Sequence, residues 1–224
     1  MADIKARIAA RAAKEFKDGD IANLGIGLPT MVTSFLPEGV DIILDSENGF
    51  TGLTGPAEPG KENYRVIDSG GKWVTAAPYA NFFGTDESFA IIRGGHVDAT
   101  VLGAMQVDEE GSVANWIVPG KNVAGMGGAM DLIVGAKKVI IAMTHTQLNK
   151  KTGEVSAKIL EKCTLPLTAA KVVDLVITEM GVFEFRDGKM YLTERWEDYS
   201  LEDIKAVTPA NYIVADDLKI NPAE

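Results

Sequence analysis

Cysteine, histidine and cationic charge are all scarce in this chain, and each scarcity removes a class of function. Cys163 is the only cysteine among 224 residues, so no intrachain disulfide can form and nothing points to an oxidising compartment. The two histidines, His96 and His145, lie far apart and offer no recognisable metal-ligand spacing. Lysine and arginine number 22 against 32 acids, a net charge of −10, and the cations are scattered or sit beside acids. A nucleic-acid partner needs a basic footprint, and none is visible. No apolar run reaches the ~18 residues of a membrane span. The opening Met1-Ala-Asp-Ile-Lys-Ala-Arg7 alternates charge where a secretory signal would be apolar. Gly-x-Ser-x-Gly, P-loop and His-Glu-x-x-His motifs are missing too, which removes common hydrolase, nucleotidase and metalloprotease routes. The expectation is a cytoplasmic protein without metal, membrane or nucleic acid.

What is present suits one large core. The chain is 46% hydrophobic, and residues 1–224 read as a single domain. Ile4, Ile8, Ala12 and Phe16 share one face of an opening helix, stopped by Asp18-Gly-Asp20. A strand over Ile21–Ile26 follows, then a helix from Pro29 through Phe35 and a strand at Ile42–Leu44. This alternation predicts an α/β fold with a largely parallel central sheet, helices on both faces and antiparallel hairpins. Residues 52–62, rich in glycine and proline, read as loop. Ala99–Val107 reads as one strand that turns at Asp108-Glu-Glu-Gly111 into a partner over Val113–Ile117. Lys138–Met143 and Lys171–Thr178 are near-continuous apolar runs, the pattern of strands covered on both faces. Val182–Phe185 and Met190–Thr193 form a hairpin about Asp187-Gly188, followed by a helix over Leu201–Ala206 and a strand over Tyr212–Ala215.

The most informative stretch is Ile42-Ile-Leu-Asp-Ser-Glu-Asn-Gly-Phe-Thr-Gly52, which sets one carboxylate, Glu47, between an apolar strand and a turn. A glutamate at the carboxyl end of such a sheet, against apolar walls, loses hydration and gains reactivity as nucleophile or base. Capping a following helix or solvating a loop is the plainer alternative. A second candidate is Pro119-Gly-Lys-Asn-Val-Ala-Gly-Met-Gly-Gly-Ala-Met-Asp131. Gly127 and Gly128 free the backbone for close approach, and the amides of Gly128 and Ala129 would open a helix where an oxyanion is favoured. An ordinary glycine-rich connection fits that segment equally well. Gly25-Ile-Gly-Leu-Pro29 is half of a dinucleotide fingerprint, but Thr30 fills the third glycine's place and Asp45 is the nearest acid, so a tight turn is the default. Asn23 needs a polar partner, either ligand or backbone. His96, His145 and Cys163 read as structural.

Ser46-Glu-Asn-Gly49 resembles the catalytic motif of family I CoA-transferases, in their β subunits. Asn23–Thr30, Ile92–Asp98, Val101–Ala104, Ala114–Trp116, Pro119–Lys121, Gly125–Leu132, Pro166–Thr168 and Ile177–Phe183 extend the likeness over residues 3 to 218. It is strongest to acetate or butyrate–acetoacetate CoA-transferase β subunits, with succinyl-CoA:3-oxoacid transferase β subunits close behind. The resemblance implies that Glu47 is a nucleophile forming a glutamyl-CoA thioester. It implies that Gly128 and Ala129 supply oxyanion amides, and that Asn23, Asn48 and Gly127 contact CoA or substrate. Coenzyme A is then a substrate, and no cofactor is permanently bound. An α subunit is the expected partner, in an α2β2 assembly. A sugar-phosphate isomerase of similar fold and a catalytically silent subunit are the competing readings. Phe50 follows the motif where a smaller aliphatic residue is expected, so it narrows the acyl pocket. No lysine or arginine lies between Asp45 and Gly60 to meet a second carboxylate, which favours acetate, butyrate or acetoacetate as acceptor.

Overall fold

A computed structural model describes residues 3–120 and 125–223. Residues 121–124 of the glycine-rich candidate stretch therefore lie outside the described residues. Helix α1, Ile4–Ala13, begins where Asp3 accepts the amide hydrogen of Lys5 at 3.0 Å, satisfying one of the orphan donors of the first turn. Its Ile8, Ala9, Ala12 and Ala13 are buried, which is why the small-residue stripe recurs at helical spacing. Then follow β1 (Ile21–Leu24), a 3-10 segment (Pro29–Phe35), β2 (Ile43–Ser46), β3 (Phe50–Pro56), β4 (Val74–Phe82) and α2 (Thr85–Arg93). The middle of the chain gives β5 (Ala99–Leu102), β6 (Gln106–Asp108), β7 (Val113–Ala114), α3 (Ala129–Gly135) and β8 (Val139–Ala142). The hairpin β9 (Thr146–Leu148) and β10 (Val155–Ala157) leads to β11 (Ile159–Leu160), β12 (Leu175–Ile177), β13 (Gly181–Arg186) and β14 (Lys189–Trp196). Helix α4 (Leu201–Ala206) and β15 (Ile213–Asn221) complete the order.

Ten strands form one sheet in the order β15-β14-β13-β12-β8-β5-β1-β2-β3-β4. The central five, from β12 to β2, are all parallel, and antiparallel strands flank them on both sides. Alternation sends the side chains of β5, β8 and β12 into two cores. Val139, Ile141 and Val176 join α2, α3 and α4 through Ile92, Leu132, Ile133 and Ile204. Ile140, Ala142, Leu175 and Ile177 join α1 and the 3-10 segment through Ile8, Ala12 and Val32. The expected parallel α/β sheet with helices on both faces is therefore what forms, and the uninterrupted apolar runs of β8 and β12 are explained by burial on both sides.

Several expectations need correction. Residues 52–56 are not loop but the end of β3. Gly52, at φ +89°, and Gly55, at φ +152°, sit where the pairing with β4 shifts register, so the glycines mark bulges within a strand. Ala99–Val107 is two strands in two sheets, parted at Gly103, and the Val113 strand ends at Ala114. The helix expected over Pro29–Phe35 forms with those bounds and winds as 3-10. The last strand runs from Ile213 to Asn221, well past Ala215.

Candidate active site

Strand β2 ends at Ser46, and β3 begins at Phe50 directly opposite it, so Glu47-Asn48-Gly49 is a hairpin turn at the carboxyl end of the parallel strands. No helix follows, which removes the helix-cap reading of Glu47. Gly49 closes the turn by donating its N–H to the Ser46 carbonyl at 2.9 Å. It takes φ +124°, and a Cβ there would lie 2.4 Å from the Phe83 carbonyl oxygen, so only glycine fits. The neighbouring Phe83 N–H donates to the Gly49 carbonyl at 2.9 Å, and Thr85 Oγ1 donates to the Asn48 carbonyl at 3.2 Å. Strand β4 and the start of α2 thereby hold the turn from outside.

Glu47 itself is half-buried. On β1, next to β2, Asn23 is buried and its Nδ2 donates to Glu47 Oε2 at 3.2 Å. The same nitrogen lies 3.2 Å from the Asp45 carbonyl oxygen and 3.3 Å from Asp45 Oδ2. From the other side, buried Gly128 packs against the carboxylate, where a methyl group would sit 3.2 Å from Glu47 Oε1. Asn23, Glu47 and Gly128, expected to act together, are thus brought together. Ala129 is adjacent, but its N–H donates to the Met126 carbonyl at 3.2 Å, whereas the Gly128 N–H has no acceptor among the described residues. Gly127, at φ +52°, makes the bend that delivers Gly128.

Glu47 lines a cavity of about 310 Å³ with Asn23, Asp45, Leu24, Leu44, Leu53 and Val74, and with Asp68 and Lys72 from the connection between β3 and β4. Lys72 lies beyond the stretch from Asp45 to Gly60, and the fold rather than the sequence makes it a neighbour of Glu47. Its local signal is the Asp68-Ser-Gly-Gly-Lys72 turn, closed by Lys72 N–H to Asp68 Oδ1 at 2.8 Å and by an Ile67–Trp73 bridge. A lysine from outside the stretch between Asp45 and Gly60 therefore borders the cavity, together with the acidic Asp68. The expectation for Phe50 is corrected: it is buried, stacks on Phe82 at 5.2 Å and is absent from the cavity wall. Asn48 and Gly127 do not line the cavity either. The Asn48 side chain accepts from Ser46 Oγ at 2.6 Å and donates to the Ile67 carbonyl at 2.8 Å, which ties the Lys72 connection to the turn.

Asp45 is the residue whose environment sequence reasoning missed. It is 5% exposed, and its carboxyl is pushed up from 3.8 to about 6 by burial, with the nearby Glu47 charge adding and the Asn23 hydrogen bond opposing. His145 is fully buried between Thr178 Oγ1 at 3.0 Å and Thr208 Oγ1 at 2.8 Å, and burial lowers it to about 4, a structural histidine. Burial, with Asp108 nearby, drives the Cys163 thiol up to about 12, the behaviour of a packed thiol. Arg93 is occupied by Asp131 at 2.7 Å, which ties α2 to α3. Among the described residues no cluster of three or more His, Cys, Asp or Glu could hold a metal ion, and no helix is long and apolar enough to cross a membrane.

Comparison with known proteins agrees with this geometry. A family model described as coenzyme A transferase matches residues 5–206. The chain is 55% identical over 216 residues to the beta chain of the acetate CoA-transferase of Escherichia coli K12, covering 96% of each. It is 44% identical over 215 residues to one of the subunits of a probable succinyl-CoA:3-ketoacid coenzyme A transferase of Bacillus subtilis, covering 96% of this chain and 97% of that one. Among solved structures, an acyl-CoA transferase from Escherichia coli O157:H7 superposes with a TM-score of 0.75 at 23% identity. That match covers 98% of this chain but 43% of the other, so the chain spans less than half of that longer protein. A cavity-lining carboxylate held between an asparagine amide and a glycine backbone, together with identity at this level over nearly the whole length, leads to one conclusion: the chain belongs to the coenzyme A transferase family.

Proposed function

We propose that this chain is the catalytic β subunit of a two-subunit CoA-transferase. In this reading it moves CoA from a short-chain acyl-CoA to a carboxylic acid by ping-pong chemistry on Glu47. The observation that carries the reading is the placement of the Glu47 carboxylate at the cavity, bonded to Asn23 at 3.2 Å and packed on Gly128.

Glu47 attacks the thioester carbonyl of the acyl-CoA. The carbon–sulfur bond breaks, giving an acyl-glutamyl anhydride and CoA thiolate. The thiolate attacks the glutamyl carbonyl and expels the acyl group as a carboxylate, leaving CoA on Glu47 as a thioester. An acceptor carboxylate runs the same steps backwards and departs as the new acyl-CoA. Each attack builds an oxyanion. The Gly128 amide serves the charge, and Asn23 serves the glutamyl oxygen; one such donor is typically worth ~100-fold or more in rate. Leu24, Leu44, Leu53 and Val74 give the acyl group an apolar wall and limit water, which would otherwise hydrolyse the anhydride.

Acetate, butyrate and acetoacetate remain the proposed acceptors by likeness to the acetate enzyme. A second reading, succinate, is favoured by Lys72, a cationic residue lining the cavity. The chain works as one domain with an α subunit in an α2β2 assembly, in the cytoplasm, with CoA as substrate and no resident cofactor. Co-purifying the two subunits and assaying CoA exchange tests the proposal: Glu47→Ala abolishes exchange, and Glu47→Asp nearly does, because one methylene less moves the attacking oxygen by about 1 Å. Full exchange in Glu47→Ala would refute it and support a silent subunit.

A further inference from the structure

Asn23 Nδ2 carries two hydrogens but lies within bonding distance of three acceptors: the Asp45 carbonyl at 3.2 Å, Asp45 Oδ2 at 3.3 Å and Glu47 Oε2 at 3.2 Å. One hydrogen must be shared. The second Asp45 oxygen, Oδ1, is buried without a hydrogen-bond partner among the described residues, an arrangement costly for a carboxylate and tolerable for a carboxylic acid. Two acids two residues apart therefore contact one amide, and the deeper of them is poorly solvated. The charged groups facing Asp45 are few. Glu47 comes from the turn, and Asp68 and Lys72 line the same cavity from the β3–β4 connection. Across the strand, β3 offers uncharged Thr51, and β1 offers Asn23.

We propose that Asp45 is a positioning residue for Glu47: it competes for the amide that both carboxylates contact, and it takes up the negative charge that Glu47 gives up on acylation, releasing a proton as it does so. The inference rests on the covalent reading of Glu47 given above. In the resting site, the Glu47 charge favours a protonated Asp45, and a protonated Asp45 leaves more of the Asn23 hydrogen to Glu47. When CoA is transferred to Glu47, the thioester is neutral. The repulsion then disappears, the Asn23 amide turns to Asp45 Oδ2, and Asp45 ionises, its proton passing to solvent. Acyl-CoA plus glutamate giving glutamyl-CoA plus a carboxylate is itself proton-neutral, and the CoA phosphate and the released carboxylate titrate alike in wild type and variant, so the release that Asp45→Asn lacks reports Asp45. The resting value of about 6 for Asp45 sets the window in which release is visible.

The test uses the reconstituted two-subunit complex mixed with acetyl-CoA and no acceptor in weakly buffered solution. An indicator dye reads the proton, and intact-mass analysis counts the CoA adduct. Near pH 6 the wild type is expected to release up to about half a proton per adduct formed, falling towards zero some two pH units higher, where Asp45 is already ionised at rest. Asp45→Asn is expected to lose that release, keeping only the background from CoA and acetate that both proteins share. Equal release per adduct in wild type and variant would overturn the inference and leave the covalent reading standing, as would a wild-type adduct with no proton in this window. Absence of any adduct on the wild type would remove the covalent reading and the inference together. Should Asp45→Asn not assemble, the pH series on the wild type decides alone, and release that persists undiminished at the higher pH would refute the assignment.

Discussion

Asp45 should make the protein less stable at neutral pH than it need be. The native state holds the Asp45 proton more tightly than an unfolded chain does, at about 6 against an ordinary 3.8. Both states keep the proton well below pH 3.8. Stability from this group is then fully present, and it is lost as pH rises through the native value near 6, because the folded protein must bury a charge that the unfolded chain exposes to water. At about 1.4 kcal/mol per tenfold in proton affinity, the difference corresponds to ~3 kcal/mol at neutral pH. Asp45→Asn preserves the shape, offers an oxygen to Asn23 and removes the charge. The variant complex is therefore expected to melt above the wild type at pH 7, by roughly 6–12 °C for a chain of this size. The gap should close as pH falls below about 4. His145, lowered to about 4, pulls the other way in acid, but it is present in both proteins and cancels in the difference. Melting temperatures of wild type and variant from pH 4 to 8 check this. A variant that melts at or below the wild type at pH 7 would show that Asp45 is better solvated or better paired than its burial and unpartnered Oδ1 indicate.

Period and spacing reveal what is local in this molecule. The two-faced burial of β8 and β12 shows in unbroken apolar runs, and α4, expected over Leu201–Ala206, forms with those bounds behind a Ser200–Asp203 capping box in which Ser200 Oγ accepts from the Asp203 amide at 3.1 Å. The Glu47 turn is legible because Asn48-Gly49 after an apolar strand is a strong turn dipeptide, although the strand β3 that follows it is not. Glycine misleads where it serves a bulge: Gly52 reads as a breaker, yet it lets β3 continue, because a Cβ there would lie 3.0 Å from the Ala80 backbone. β4 and α2 pass unannounced. β4 is an edge strand carrying Pro78 and has a mixed burial pattern, and α2 buries only Ser88 and Ile92. Within the site, Glu47 is found from its own neighbours. Its relations to Asn23, Gly128 and Lys72, each more than twenty residues away, depend on which strands pair, and no local pattern encodes that. Asp45 escapes for a different reason. Alternation marks it as a β2 residue, but only the completed fold shows that its surroundings withhold water from one oxygen.

Two substitutions probe the wall and the turn of the cavity. Gly49→Ala forces an alanine to φ +124° with its Cβ 2.4 Å from the Phe83 carbonyl, so either the turn or β4 must move. A cost of ~2–4 kcal/mol and loss of most CoA exchange are expected, and normal exchange with an unchanged melting temperature would mean the turn is softer than its geometry. Lys72→Met keeps the length and apolar stem of the lysine while removing its charge from the cavity that Glu47 lines. A cation bonded to a carboxylate is worth about 1.5–3 kcal/mol, or roughly 10- to 100-fold in affinity. Acetate and butyrate place their one carboxylate at Glu47, where the new bond forms, and leave nothing for Lys72 to bind. A dicarboxylate carries its second charge away from that bond and into reach of the loop. If Lys72 reads that charge, Lys72→Met lowers kcat/KM for succinate by about tenfold or more while acetate changes little. Measuring both acceptors with the same acyl-CoA on the reconstituted complex separates the cases. Equal losses for acetate and succinate would assign Lys72 to CoA or to the loop's own conformation and leave acceptor choice to the apolar wall and the α subunit.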